Sequence, residues 1–241
     1  MSLIANEILK LRTTRGPLLL LAGAQLVVVA GASGLFLGGA DSSAPDTVLG
    51  AVAHAGLVSI FTLVLGIVGM AGEYRYRTIT DTYLSTPDRG RVVAAKLVTY
   101  AGAGALFGVV SAIVATATTA IWLAVKGGAL DLGDAALWRT LVGCIGWNAG
   151  FAAIGVGLGA LVRNLAAAIA VALAWLALVE GVVGQLLGAG LARWLPFASG
   201  VAMEGIGSNG LPQWGGALVV AAYCLIFAVV AVSTTVRRDV T

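Results

Sequence analysis

Very few residues of this chain have side chains suited to covalent chemistry. The only histidine is His54, near the start of one apolar segment, and Ser33 lies toward the end of the segment before it. Nucleophilic catalysis requires a base beside the hydroxyl. Consecutive segments run in opposite directions, so both residues lie toward the external side, and a serine–histidine pair is one hypothesis for chemistry here.

Nucleotide-binding motifs are the next candidates. A P-loop needs Lys followed by Ser or Thr after a glycine-rich loop, whereas Lys10, Lys96 and Lys126 are followed by Leu, Leu and Gly. The run Gly155-Val156-Gly157-Leu158-Gly159-Ala160 matches the dinucleotide fingerprint in its letters, but no strand precedes it. Close helix packing is the better interpretation, as for the pairs Gly104/Gly108 and Gly146/Gly150. If ATP drives this protein, another chain must bind it.

One carboxylate, Glu180, lies deep within an apolar segment. Burying an acid in a membrane is costly, so such a residue is a functional candidate by default. Two interpretations stay open: Glu180 lines a transport pathway together with Asn148 and Gln185, or it makes a structural hydrogen bond to one of these two residues.

The most concentrated polar feature is residues 72–91, the Arg-rich segment, which reads GEYRYRTITDTYLSTPDRGR. It holds four of the fourteen basic residues and three of the eleven acids. In a chain with so little polar material, this segment is the expected docking surface for a partner in water.

The composition excludes a soluble globular protein, because 59% of the residues are hydrophobic and only 10% are charged, against about 25% charged in soluble domains. About 20 apolar residues cross a bilayer as a helix. We therefore predict an all-α polytopic membrane protein forming a single transmembrane domain over residues 1–241, with the first span retained. The six predicted spans are 17–39, 48–71, 97–125, 138–162, 165–187 and 214–236.

The basic residues predict the orientation. An even number of spans places both termini on one side, and 11 of the 14 basic residues fall there. The positive-inside rule then assigns both termini and the Arg-rich segment to the cytoplasm, with the chain in the plasma membrane. The net charge of +3 is explained by the membrane and needs no nucleic-acid partner. Cys144 and Cys224 lie within predicted spans, and their positions indicate neither a disulfide nor a metal site.

Three elements complete the predicted architecture. Ile4, Ile8 and Leu11 recur at helical spacing over residues 1–15, which predicts an interfacial helix broken at Gly16-Pro17. Residues 188–213 are too apolar for an external loop and too interrupted to span, so we predict an external re-entrant hairpin. The third element is a cytoplasmic coupling region over residues 72–91.

Within that region we predict two helices and a corner. Glu73 and Arg77 are spaced to form an i,i+4 pair. Tyr76, Ile79 and Tyr83 are predicted to share one helical face. A second helix is predicted to begin at Thr86-Pro87-Asp88, with Thr86 as N-cap and proline in the first position.

The chain resembles the permease subunits of type-2 ABC exporters, the ABC-2 membrane family. Three segments carry the resemblance: EILKLRTTR at 7–15 is similar to the family's interfacial helix, EYRYRTI, LSTP and RVVAAK within 73–96 to its coupling region, and GLGALVRN at 157–164 to its turn between spans four and five. The coupling region is the most specific of the three.

The resemblance implies that two permease copies, identical or related, pair and that each docks an ATP-binding subunit carrying ATP and magnesium. This chain would then hydrolyse no ATP and hold no cofactor itself, and would move a drug-like molecule, lipid or hydrophobic peptide outward as an efflux pump. Arg89 and Arg91 are expected to contact the partner, contact lipid headgroups or set the topology. The residues expected to couple to the ATPase are Glu73, Tyr76, Arg77, Ile79, Thr80, Tyr83, Arg89 and Arg91.

Two other classes stay open. An ion-coupled secondary transporter would need no ATPase, but would be expected to carry further intramembrane charges. Gly31-Ala32-Ser33-Gly34 also resembles the serine motif of rhomboid intramembrane proteases, with His54 as the only available base. Rhomboids carry both residues on later spans, and a protease would leave the Arg-rich segment without a role.

Overall fold

All six predicted spans form helices. The computed structural model describes residues 3–86, 88–186, 188–206 and 210–237, and these ranges contain helices and no strand. Six helical segments are long and apolar enough to cross a membrane, as in a multi-pass membrane protein. The helices are α1 (Leu3–Thr13), α2 (Arg15–Leu37), α3 (Pro45–Ala53), α4 (Ser59–Arg75), α5 (Ile79–Ser85), α6 (Arg89–Val125), α7 (Ala135–Val162), α8 (Leu165–Ala174), α9 (Gly184–Leu186), α10 (Ala189–Ala192), α11 (Pro196–Met203) and α12 (Gln213–Arg237).

The span boundaries agree with the predicted ones to within a few residues, except that the third span begins at Arg89 rather than Leu97. Its helix α6 has 37 residues, which makes it about 55 Å long at 1.5 Å per residue. The hydrocarbon core of a bilayer is only about 30 Å thick. Helix α6 is therefore longer than a bilayer crossing requires, and its first residues, from Arg89, belong to the Arg-rich segment.

Helices α4 and α7 form the centre of the bundle, and both are buried over about two-thirds of their apolar length. Their backbones touch, because a Cβ added at Gly66 or Gly155 would overlap a carbonyl oxygen of the other helix. Gly104 and Gly108 bring α6 equally close to α7. Small residues permit such approach in membrane helices, so the packing interpretation of these glycines is confirmed.

The second span is broken, which the sequence analysis did not predict. Its helix stops at Ala53, passes through a 3₁₀ turn at Gly56–Val58, and resumes as α4. Asn148 on α7 accounts for the break, since its Nδ2 donates to the carbonyl of Ala55 at 3.0 Å. That carbonyl would otherwise accept the helical hydrogen bond from the N–H of Ser59.

The fifth span changes helix type. After α8 the chain forms a π-helical segment over Trp175–Val183, which contains Glu180. The link to the sixth span then forms two short helices, α10 and α11, and α11 packs on α7 and α12. These helices fit the predicted hairpin, whose depth in the bilayer stays a prediction.

Helix α1 is confirmed, but its end differs from the prediction. The chain leaves the helical conformation only at Thr14 and enters α2 at Arg15. Gly16-Pro17 is therefore not the break. Pro17 falls in the first turn of α2, where the missing N–H of a proline is tolerated because it has no helical partner.

Candidate functional site

The Arg-rich segment begins with a Schellman turn that ends α4. Arg77 has a left-handed backbone with φ 59°. The N–H of Thr78 donates to the carbonyl of Glu73 at 3.0 Å, and the N–H of Arg77 donates to the carbonyl of Tyr74 at 3.3 Å. These two bonds define the motif, whose left-handed position usually holds glycine. The turn separates α4 from the short helix α5.

The turn corrects two predictions. Because Arg77 lies past the end of α4, it does not pair with Glu73 at helical spacing. Tyr76, Ile79 and Tyr83 likewise do not share one face. Tyr76 is 70% exposed, whereas Ile79 and Tyr83 are buried. The predicted face required one continuous helix over residues 73–83, and the left-handed Arg77 interrupts it.

The buried side of α5 packs on its neighbours. Ile79 and Tyr83 form a small apolar cluster with Val92 of α6 and Tyr74 of α4. Burial raises the pKa of the Tyr83 phenol above its usual value, and the guanidinium of Arg89 lies 5.3 Å from the centre of the Tyr83 ring. Helix α5 is thus held at the end of the bundle by α4 and α6.

The opposite side of this region is open. Arg77 and Thr80 are exposed, as are Tyr76 and Leu84, the latter by 76%. We call these four residues the exposed α5 surface. Tyrosine and arginine are enriched among the residues that dominate binding to a partner, and the exposed leucine adds apolar surface beside them. Of the predicted coupling residues, Tyr76, Arg77 and Thr80 therefore lie where a partner can reach them.

Beneath α5 lies a cluster of four charged side chains, Glu7, Lys10, Glu73 and Lys96, which we call the ion cluster. Lys96 Nζ donates to Glu7 Oε2 at 2.8 Å and to Glu73 Oε1 at 2.6 Å. Lys10 Nζ lies 2.7 Å from Glu7 Oε1 and 2.6 Å from Glu73 Oε1. Two acids and two lysines give the cluster a formal charge of zero.

Lys96 is the centre of the cluster. Its side chain is completely buried, and its third donor reaches the carbonyl of Gly69 at 3.0 Å. An ammonium group has three donors, so all three are satisfied. Removing one partner of a buried pair leaves an uncompensated charge and costs about 3–5 kcal/mol. The cluster therefore joins α1, α4 and α6 strongly.

Lys10 occupies the outer edge of the cluster, and its side chain is 43% exposed. Partial burial lowers the pKa of Lys10, but hydrogen bonds to Glu7 and Glu73 outweigh burial and raise it above its ordinary value. Helix α5 joins through Thr82, whose Oγ1 lies 3.2 Å from Glu73 Oε2. Four helices thus meet at the two carboxylates.

The ion cluster was missed in the sequence analysis. Ile4 and Ile8 were predicted to recur on the apolar face of α1, yet about two-fifths of their surface is exposed, while Glu7 is buried. A signal was present: Glu7 and Glu73 are acids beside span ends on the side that is otherwise strongly basic. An acid at that position needs a cation, and Lys96 lies within the adjacent apolar stretch.

The start of α6 also differs from the prediction. Asp88, not Thr86, is the N-cap, since its carboxylate accepts from the N–H of Arg91 at 3.1 Å. Pro87 lies outside the described residues. Arg91 is exposed, and its Nε lies 4.0 Å from Asp88 Oδ2. Such an exposed pair adds little stability, so Arg91 is available to a partner or to headgroups.

The turn between the fourth and fifth spans meets the same region. Arg163 is the second non-glycine residue with a left-handed backbone in the described part of the chain, with φ 54°. Its guanidinium lies 5.5 Å from the centre of the Tyr74 ring and donates to the carbonyl of Thr234 at 3.4 Å. Residues from the ranges 7–15, 73–96 and 157–164 thus contact one another at one end of the bundle.

Glu180 lies toward the other end of the bundle and has a structural partner. Its carboxylate accepts from the N–H of Phe197 at 2.6 Å and of Ala198 at 2.9 Å. These are free donors at the start of α11, which a carboxylate satisfies well. Asn148 instead clamps the break in the second span, and Gln185 is exposed. The predicted bond from Glu180 to Asn148 or Gln185 is therefore wrong.

Glu180 nevertheless lines a small apolar cavity of about 150 Å³ between α4, α7, the fifth span and α12. Its wall is mostly apolar and includes the aromatic residues Trp175, Tyr223 and Phe227. The pathway interpretation of Glu180 thus stays a prediction alongside its structural bond.

The structure does not arrange Ser33 and His54 as a catalytic pair. Ser33 Oγ accepts from Trp122 Nε1 at 2.9 Å, and His54 Nδ1 bonds to the carbonyl of Gly50 at 2.9 Å. The two side chains form no hydrogen bond with each other, so the base is not beside the hydroxyl.

Comparison with models of known protein families and with functionally characterised proteins returns no match.

Proposed function

We propose that this protein is the membrane-spanning permease subunit of an ATP-driven ABC exporter, and that the exposed α5 surface docks a separate ATP-binding subunit. The observation that carries the proposal is the ion cluster beneath α5. It ties a short exposed helix to three helices that enter the bundle, α1, α4 and α6.

That connection suits the transmission of force. A push on α5 is carried by the packing of Ile79 and Tyr83 and by the bond from Thr82 to Glu73. Glu73 shares Lys96 with Glu7, so a displacement of α4 would also displace α1. Since α4 is half of the bundle centre, movement there would reach the transport path.

The missing P-loop supports a second chain as the energy source, because none of the three lysines is followed by Ser or Thr. ATP and magnesium would bind that partner, two copies of which would serve a pair of permeases. The described spans present mostly apolar walls, including the cavity beside Glu180. A hydrophobic or amphipathic cargo therefore fits best: a drug-like molecule, a lipid or a hydrophobic peptide.

The test is co-purification from the native host with tagged protein in mild detergent. We expect a P-loop ATPase and ATP hydrolysis to accompany the wild type. The double variant Tyr76→Ala/Leu84→Asp should lose about tenfold or more of both, since one interface residue worth about 1.4 kcal/mol changes binding tenfold. Thermal stability should not change, because both side chains are exposed.

Leu132→Asp is the matched control. Leu132 is 58% exposed in the link between the third and fourth spans, at the opposite end of the bundle. This variant should keep the ATPase. Full retention of the ATPase by Tyr76→Ala/Leu84→Asp would refute the docking surface. Efflux of a lipophilic dye that persists without any ATPase, and stops when an ionophore collapses the proton gradient, would favour the ion-coupled transporter instead.

A further inference from the structure

A second acid beside α11 has no role in the proposed function. Glu204 follows the last residue of α11, and only 8% of its surface is exposed. Its backbone carbonyl accepts from Thr140 Oγ1 of α7 at 2.7 Å, which fixes the end of the hairpin helix against the bundle. The side chain extends inward from that anchor, toward the break in the second span.

The carboxyl group of Glu204 occupies the space that a side chain at residue 56 would fill. A Cβ added at Gly56, in the 3₁₀ turn of the second span, would overlap Glu204 Oε1 and also the ring of Trp147. Gly200 of α11 lies on the other edge of the same indole. The hairpin, the break in the second span and α7 therefore meet around the Glu204 carboxyl group and the fully buried Trp147.

Among the described residues, no N–H, hydroxyl or cation forms a hydrogen bond or ion pair with this carboxyl group, and burial raises the pKa of Glu204 to about 8. An ionised carboxylate is unstable when buried without a partner. Binding a proton removes the charge and therefore stabilises the carboxyl group in this position.

The neighbouring titratable groups do not change this conclusion. Cys144 of α7 is a buried free cysteine. His54, at the break, bonds to Gly50 and packs on the first span. Arg139 is exposed and donates to its own helix. Arg193, on the hairpin, lies over the ring of Trp194. On α12 the uncharged Gln213 donates to the carbonyl of Met203.

We propose that the Glu204 carboxyl is a proton-binding site that holds the hairpin helix α11 against the break in the second span. The packed hairpin carries the neutral acid. When the hairpin leaves α7, the carboxyl group reaches water and releases one proton. The site works in the same way whether ATP or an ion gradient drives transport, so it does not depend on the proposed function.

The direction of the pH effect follows from the two states. In water the pKa of a glutamate is about 4.3, and in the packed hairpin that of Glu204 is about 8. Between these values the packed state binds more protons than the open state. Opening therefore becomes easier as the pH rises, by up to tenfold per pH unit. Below about pH 4 and above about pH 8 the opening equilibrium is constant.

Hydrogen–deuterium exchange of residues 196–206 in lipid nanodiscs tests the site on the intact chain. After correction for the intrinsic pH dependence of amide exchange, the wild type should open progressively more from pH 5 to pH 8, by at least one hundredfold in total. Glu204→Gln resembles the protonated acid in shape and charge, so its opening should stay constant across this range.

Glu180→Gln is the control on the same hairpin, because Glu180 caps the start of α11 through two N–H groups. It should raise opening, and the rise of opening between pH 5 and pH 8 that Glu204 produces should remain. A flat wild-type profile, or a Glu204→Gln variant that keeps the slope, would overturn the proposal. The wild-type profile alone suffices should Glu204→Gln fail to fold. None of these outcomes depends on the presence of an ATPase.

Discussion

The two ends of the bundle handle buried acids in opposite ways. At the end with the chain termini, Glu7 and Glu73 share two lysines in a network that is neutral in total. At the opposite end, Glu180 is satisfied by backbone N–H groups and Glu204 by no described group. The difference teaches that one end is built to stay joined, whereas the other end is built to change with protonation.

The physical reason is the free-energy cost of burying a charged carboxylate, which either ammonium partners or a bound proton can offset. A buried carboxylate with two ammonium partners is stable only while all of them remain in place, so its helices move as a unit. A buried carboxyl that can take up a proton needs no partner. Its helix is therefore free to leave when the proton does. In the proposed exporter, these properties suit a coupling joint and a gate.

The largest loss of stability is expected for Lys96→Met, at the end of the bundle that holds the ion cluster. It removes the completely buried ammonium and leaves Glu7 and Glu73 with Lys10 alone. We expect the free energy of unfolding to fall by about 3–5 kcal/mol, measured by denaturant unfolding in mixed micelles. Lys126→Met, on an exposed lysine at the opposite end, should be neutral.

The same variant should also acquire the behaviour of the opposite end. With one lysine for two acids, a carboxyl of the cluster becomes buried without a full partner, which raises its folded-state pKa. Stability would then be greatest at acidic pH and be lost as the pH rises toward that value. Equal stability of Lys96→Met and wild type at pH 5 and pH 8 would contradict the importance given to the cluster.

The middle-sized effect is expected from Glu180→Gln. The amide still accepts one hydrogen bond, but the charge-assisted bonds from the N–H groups of Phe197 and Ala198 are lost. Hydrogen bonds to charged groups contribute about 1.5–3 kcal/mol, so we expect a loss of about that size in unfolding measured at pH 7. A loss equal to that of Lys96→Met would show that the two ends are held equally tightly.

The smallest effect is a gain in stability. Arg77 is left-handed and exposed, and the described structure shows no hydrogen bond from its guanidinium. Arg77→Gly should raise the free energy of unfolding by about 0.5–1 kcal/mol, because glycine adopts this conformation without strain. Arg163→Gly is the matched comparison. It loses contacts to Tyr74 and Thr234, so it should show no gain. Equal gains in thermal stability would mean that those contacts carry no energy.

Part of the fold could be predicted from particular residues. Continuous apolar runs longer than a bilayer is thick predicted the six spans, and the periodicity of Ile4, Ile8 and Leu11 predicted α1. Glycine spacing predicted where helices approach. In each case the signal is local, because hydropathy and helical period act over one helix at a time. The same reasoning isolated residues 72–91 as the polar segment that projects from the bundle.

The errors occurred where a residue's partner lies far away in the chain. Glu73 was assigned to Arg77, four residues on, but it pairs with Lys10 and Lys96. Glu180 was assigned to nearby polar side chains, but it caps a helix seventeen residues on. The left-handed Arg77 also defeated prediction, because glycine is the usual residue at that position of a Schellman turn.

From the sequence alone one can determine that this is an all-helical chain with six apolar spans and one concentrated polar segment, since each property is a sum over neighbouring residues. Only the tertiary structure decided which charges meet. A buried charge takes its properties from the groups within a few ångströms of it, and in a helical bundle those groups come from other helices. Glu7 and Glu204 are both single acids beside apolar stretches, yet packing gave one two lysines and left the other to hold a proton.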